Sequence, residues 1–182
     1  GNNVNAAAWS SDGQYLVTGS NVATGRLTIY KRSGDTFTKL ADPASLPGSQ
    51  VQAVAFSPDT TYLSVGSYSS PYLTIYKRSG DTFTKLADPA VMPGSNVNGL
   101  TWSPDGMYLA VGSYTTTADR LTIYKRSGDT FTKLANPAIL PTGDAEGIAF
   151  SKDTQYLSVG HNNSPYLTIY KRSGDTFTKL AN

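Results

Sequence analysis

The fifteen residues LTIYKRSGDTFTKLA occur four times in this 182-residue chain without a single change, at 27–41, 73–87, 121–135 and 167–181. Nothing else in the sequence constrains the fold as strongly. The stretches between the copies repeat as well: AAAWSSDGQYLVTGS, AVAFSPDTTYLSVGS, GLTWSPDGMYLAVGS and GIAFSKDTQYLSVGH align without gaps. A chain built this way must fold from a unit that buries its apolar face against its own copies. Four units fill the sequence, so a single domain is expected, with units at about 1–43, 44–89, 90–137 and 138–182.

Each unit reads as four short strands. The first is largely apolar, as in Val51–Phe56, and lacks polar alternation, the mark of a strand covered on both faces. A turn with Asp followed by Gly or Thr leads into YLSVG; LTIYK follows, and RSGD closes a hairpin into TFTKL. Helical periodicity is absent, and Pro43, Pro89 and Pro137 punctuate the connections between units. Four strands in roughly 46 residues is the repeat of a β-propeller blade. The fold class is therefore all-β, with four antiparallel four-stranded blades, here called strands a to d.

The run AVAFSPDTTYLSVGS…LTIYK resembles the WD-repeat family, whose blades carry a similar strand a, an SPDG turn, a small-residue strand b and an aromatic strand c. The resemblance covers the whole chain and implies the fold, while propellers host many functions. Two features depart from it. Strand c ends in Tyr-Lys (Tyr30, Lys31 and their copies) instead of Trp-Asp, and PGSQ, PGSN or PTGD stands where Gly-His is usual. The family's Asp–His–Ser–Trp network is therefore not expected.

The units alternate in pairs. Units one and three share Trp9 and Trp102, Gly13 and Gly106, and Arg26 and Arg120; units two and four share Phe56 and Phe150, Thr60 and Thr154, and a Ser-Pro-Tyr triplet. A pair of blades was thus the unit of duplication, and identity of the fifteen-residue segment implies recent amplification or deliberate design.

Antiparallel connectivity sends the a–b and c–d turns to one end of the blade and the b–c and d–a loops to the other. The first set barely varies, whereas the second differs in length and character. Loops tolerate change for bland reasons. These are also rich in Tyr, Ser, Asn and Thr, the mixture binding loops use. The candidate binding residues on that face are Arg26, Tyr68, Tyr72, Tyr114, Asp119, Arg120, His161, Asn162 and Tyr166. Charge divides along the same line. The constant end and outer strands hold thirteen cations against eight acids, the variable loops two arginines against five acids. A basic rim can meet a polyanion; the favoured expectation is that it keeps exposed edge strands soluble.

Much chemistry is missing. There is no Cys and one His, so disulfides, thiol catalysis and a histidine metal site are not expected, and the cellular compartment is unreadable. A serine triad could use only His161, present in one unit of four. No Gly-rich phosphate loop occurs, no apolar run reaches the roughly 18 residues of a membrane span, and the net charge of +2 does not suggest nucleic acid. No cofactor is expected. The leading expectation is a non-enzymatic binding or scaffold module for a glycan or protein, suited to a cell-surface or phage-virion appendage. The alternatives are a lactonase-like propeller hydrolase, whose carboxylates Asp144 and Glu146 sit in one d–a loop only, and a designed propeller with no ligand.

The chain starts and stops within d–a loops, which predicts four intact blades. An open arc would expose two apolar blade faces. The sequence therefore predicts a homodimer, blade four against blade one of the second chain, forming an eight-bladed ring, with a four-bladed single-chain ring as the other possibility.

Overall fold

A computed structural model describes residues 3–22, 26–115 and 119–181. Blade one comprises β1 (Val4–Trp9), β2 (Tyr15–Ser20), β3 (Leu27–Ser33) and β4 (Thr36–Lys39). Blade two is β5 (Val51–Phe56), β6 (Tyr62–Ser67), β7 (Leu73–Ser79) and β8 (Thr82–Lys85). Blade three is β9 (Val97–Trp102), β10 (Tyr108–Ser113), β11 (Leu121–Ser127) and β12 (Thr130–Lys133). Blade four is β13 (Ala145–Phe150), β14 (Tyr156–His161), β15 (Leu167–Ser173) and β16 (Thr176–Lys179). Each blade is a separate antiparallel sheet in sequential order, and among the described residues every regular element is a strand.

Local chemistry explains the a–b turn. In blade two Ser57 Oγ donates to Asp59 Oδ1 (2.5 Å), which also accepts from Thr61 N (3.1 Å), while Tyr62 N donates to Ser57 Oγ (2.8 Å). The turn needs one left-handed residue. Gly13 and Gly106 fill it at φ of 66° and 67°, but Thr60 and Thr154 stand there at 58° and 61°. A β-branched residue is strained in that region. Arg78 holds Thr60 in place, donating to its carbonyl (2.9 Å) and to its hydroxyl (2.8 Å).

The first strands of successive blades pack on one another, β1 on β5, β5 on β9 and β9 on β13, so strand a is innermost. β13 has no comparable packing on β1, and the four blades form an open arc. The single-chain ring is thereby set aside. The core lies between blades. Each of three apolar clusters joins one blade to the next, as when Tyr62, Leu73 and Ile75 meet Val97, Trp102 and Phe131.

The same contacts recur at every seam. Tyr62 Oη donates to Asp129 Oδ1 (2.5 Å), Lys77 pairs with the other oxygen of that carboxylate (2.8 Å), and Arg126 lies over the Tyr62 ring (5.0 Å). Tyr15 with Lys31, Asp81 and Arg78, and Tyr108 with Lys125, Asp175 and Arg172, repeat the arrangement. Strand d closes the contact edge-on: Phe83 on Tyr15, Phe131 on Tyr62, Phe177 on Tyr108. Such pairs add about 0.5–1.5 kcal/mol beyond burial. Much of the charge read as a solubilising rim is therefore paired across the seams between blades.

Candidate functional site

The b–c and d–a loops share one end of the arc, with residues 23–25 and 116–118 of the b–c loops outside the described residues. The structure divides the candidate binding residues into those tied to the scaffold and those presented to solvent. Arg26 is tied: its guanidinium donates to the carbonyls of Val22 (3.2 Å), Pro47 (3.2 Å) and Gly48 (2.8 Å). Arg120 repeats this on Thr115 (3.0 Å) and Pro141 (3.3 Å). Both arginines staple a b–c loop to the following d–a loop. Asp119 faces Lys133 (3.4 Å), and Tyr72 packs half-buried against the second seam cluster. Tyr68, Tyr114 and Tyr166 are exposed rings on the rim, and Tyr166 holds a left-handed backbone at φ 67°.

His161 is buried at the end of β14. Its Nε2 lies 3.0 Å from Thr168 Oγ1 and its Nδ1 3.5 Å from Thr142 Oγ1. Burial lowers its pKa below the ordinary histidine value, which favours the neutral ring. In blades two and three the corresponding Ser67–Thr74 and Ser113–Thr122 hydroxyls are buried without a hydrogen-bond partner. The imidazole thus supplies a contact that serine does not.

Beside it lies a polar cluster built on Asp144, one bond of which recurs in blade one, where Asn3 N donates to Asn21 Oδ1 (2.9 Å). Asn162 Nδ2 donates to Asp144 Oδ2 (2.9 Å), Asn162 Oδ1 accepts from Asp144 N (2.9 Å), and Thr115 N of blade three donates to Asp144 Oδ1 (3.0 Å). Two residues on, Glu146 stands exposed near the loop end of β13, and it has no hydrogen-bond or ion-pair partner among the described residues. The same position holds Asn5, Gln52 and Asn98 in β1, β5 and β9, making Glu146 the one charged residue in the four innermost strands. Aligning the second residue of each strand a brings out this row of three amides and a carboxylate; attention to loop variability passes over it. Among the described residues no group of three or more His, Cys, Asp or Glu side chains could hold a metal ion.

The WD domain, G-beta repeat family model matches residues 1–26, 43–70 and 89–118, the strand a and b portions of three blades. With four four-stranded blades beside these matches, the assignment follows. The chain is a WD-repeat-like β-propeller. No curated protein sequence matches it at a significant level. Among solved structures, the propeller superposes on a protein of Bacteroides uniformis assigned as a 6-phosphogluconolactonase (TM-score 0.77, 16% identity, 98% of this chain and 54% of the other). It superposes likewise on the periplasmic gluconolactonase of Pseudomonas aeruginosa (TM-score 0.71, 19% identity, 99% and 53%). A Lactobacillus plantarum protein also matches (TM-score 0.77, 18% identity, 99% and 55%). The propeller spans about half the length of these structures, and at such identities the likeness is one of fold.

These comparisons correct the expectation of a non-enzymatic module. That expectation rested on the scarcity of His and Cys, yet structures that superpose on the whole chain are named as lactonases. Opening a lactone requires neither residue, since a carboxylate can serve as the base.

Proposed function

We propose that this propeller is a lactonase-like hydrolase acting at the loop end of the innermost strands, on the b–c and d–a face. The observation that carries the reading is Glu146, the one ionisable side chain in the four innermost strands, standing exposed and unpaired at their loop end. An unpaired carboxylate there can take a proton from water as the water oxygen adds to the lactone carbonyl carbon. The ring C–O bond then breaks, and the departing alkoxide recovers that proton. Gln52 and Asn98 offer amide N–H groups at corresponding positions to the oxygen on which negative charge develops, while Asn5 Nδ2 already donates to the Val51 carbonyl (3.2 Å). Tyr68, Tyr114 and Tyr166 present exposed rings on the same rim, which suits a sugar-derived substrate. Asp144, tied to Asn162 and to Thr115 N, joins the loop that carries Glu146 to blade three.

The test is acid release from glucono-1,5-lactone and its 6-phosphate, measured against the spontaneous rate. Glu146→Gln is expected to lower kcat by about 10²–10⁴-fold. His161→Ala, with the fold intact, is expected to retain turnover. Absence of any rate above the spontaneous one, or indifference to Glu146→Gln, overturns the reading.

A further inference from the structure

The two ends of the arc are unequal in the faces they leave open. On blade four, Tyr156 is 36% exposed and Leu167 44%, while their counterparts Tyr62 and Leu73 are buried in the seam between blades two and three. On blade one, Val4 is 65% exposed and Phe37 45%, whereas Val97 and Phe131 are buried in that same seam.

At the positions that make its ring, hydrogen-bond and ion-pair contacts the open faces carry the same residue types as the two halves of that seam, while Ala7 and Thr18 of blade one stand where blade three has Leu100 and Val111. Blade two contributes Tyr62, Ser64, Gly66 and Lys77 to it; blade four carries Tyr156, Ser158, Gly160 and Lys171 at the corresponding positions. Blade three contributes Val97, Trp102, Asp129 and Phe131; blade one carries Val4, Trp9, Asp35 and Phe37. Within the chain, Trp102 Nε1 donates to Ser64 Oγ (3.1 Å), and Asp129 receives both Tyr62 and Lys77. A Cβ placed on Gly66 would lie 2.5 Å from Val97 Cγ1, so Val97 fills the notch that this glycine leaves. Beside Gly160 the notch is empty: a Cβ there meets only Gly147 of its own blade, at 3.6 Å or more.

We propose that a second copy of this chain fills that notch. Val4 of the second copy seats beside Gly160, its Trp9 donates to Ser158, its Phe37 meets the Tyr156 ring edge-on, and its Asp35 receives Tyr156 and Lys171. Two copies related by a two-fold axis then form two identical seams and an eight-bladed ring with no open face. The inference does not depend on the hydrolase reading, because it concerns the blade faces and not the loop end.

Light scattering on the 182-residue chain at tens of micromolar reads the outcome directly. The expected mass is twice the 19.4 kDa of one chain. Gly160→Val places a Cβ that meets only Gly147 of its own chain, at van der Waals distance (3.6 Å), and is expected to leave the β-sheet circular dichroism intact while returning the mass to one chain. Asp35→Lys is expected to weaken the pair at least tenfold, and Asp35→Lys with Lys171→Asp to restore it. A mass of one chain for the unaltered protein overturns the proposal. So does a mass that climbs without a plateau, which would mean open head-to-tail polymers. A doubled mass indifferent to both Gly160→Val and Asp35→Lys would place the contact elsewhere and equally overturn it.

Discussion

Blades two and four carry the same fifteen-residue segment and nearly the same strand b, yet they differ sharply in burial. In blade two the seam with blade three buries Tyr62 and Leu73; in blade four Tyr156 is 36% and Leu167 44% exposed. Strand d differs in the opposite sense, since Phe177 of blade four is buried on Tyr108 while Phe37 of blade one is 45% exposed and packs edge-on against Trp9 of its own blade. A blade is thus an incomplete unit whose Tyr-Lys side and Asp-Phe side each need a neighbour. That explains why the fifteen residues are identical. They contain the Lys of one side and the Asp and Phe of the other, and the Tyr that completes the first side recurs in strand b of every unit as Tyr15, Tyr62, Tyr108 and Tyr156, so any blade can follow any other.

The sharpest way to break this comparison is to remove the same ring in two contexts. In the Gly160→Val background, Phe131→Ala is expected to cost about 3–5 kcal/mol, the usual range for a buried Phe. Phe37→Ala in that background should cost less than a third as much by urea unfolding. Equal losses would show that burial in the seam is not what stabilises strand d.

Glycine positions sharpen it further. Gly66→Val must push into Val97, whose carbonyl would lie 3.0 Å from the new Cβ, and should destabilise by about 1–3 kcal/mol. Gly160→Val meets no such obstacle and should be neutral or slightly stabilising to the fold of one chain. A matching loss at both sites would contradict the empty notch.

Acid should loosen the covered seams. Lys31 and Tyr15 hydrogen bonds hold Asp81 below the ordinary carboxylate range, and Asp129 and Asp175 are held down likewise. A carboxylate depressed on folding contributes stability that is present above its unfolded value near 3.9 and is lost as pH falls through the lower folded one. Unfolding should therefore steepen below about pH 4, and Asp129→Asn should flatten that limb. His161 adds a smaller dependence at higher pH. Its folded pKa is lowered by burial, so its contribution is present above about 6.5 and declines as pH falls through the folded value. His161→Ser should abolish that limb, as read from thermal midpoints between pH 7 and 5.

The smallest effect is expected at Lys77→Met. This exposed pair is screened by solvent, and Tyr62 keeps its bond to Asp129, so the midpoint should not move measurably.

The strands were legible because their signals are local. Ser57 and Asp59 shape the turn within six residues, and the apolar run of β5 shows that it is covered on both faces. The candidate site was legible only in part. Loop variation led to Tyr68, Tyr114 and Tyr166, which are exposed on the rim, but also to Arg26 and Arg120, which hold loop carbonyls. An arginine in a variable loop looks the same in sequence whether it faces solvent or a carbonyl twenty residues away. Glu146 drew little attention because one acid in one loop carries no pattern until the innermost strands are placed side by side.

The sequence by itself determined the blade: its four strands, its turns, and the complementary chemistry that lets copies stack. Those features depend on residues close together in the chain, through hydrogen-bond geometry and the alternation of side chains along a strand. Only the tertiary structure decided that the core lies between blades, that the arc stays open, and which copy of each repeated residue is left uncovered. Burial is set by neighbours some 46 to 66 residues away, and four copies of one segment cannot differ in sequence to announce it. Tyr62 and Tyr156 share a residue type and a strand position, and only the presence or absence of the next blade separates them.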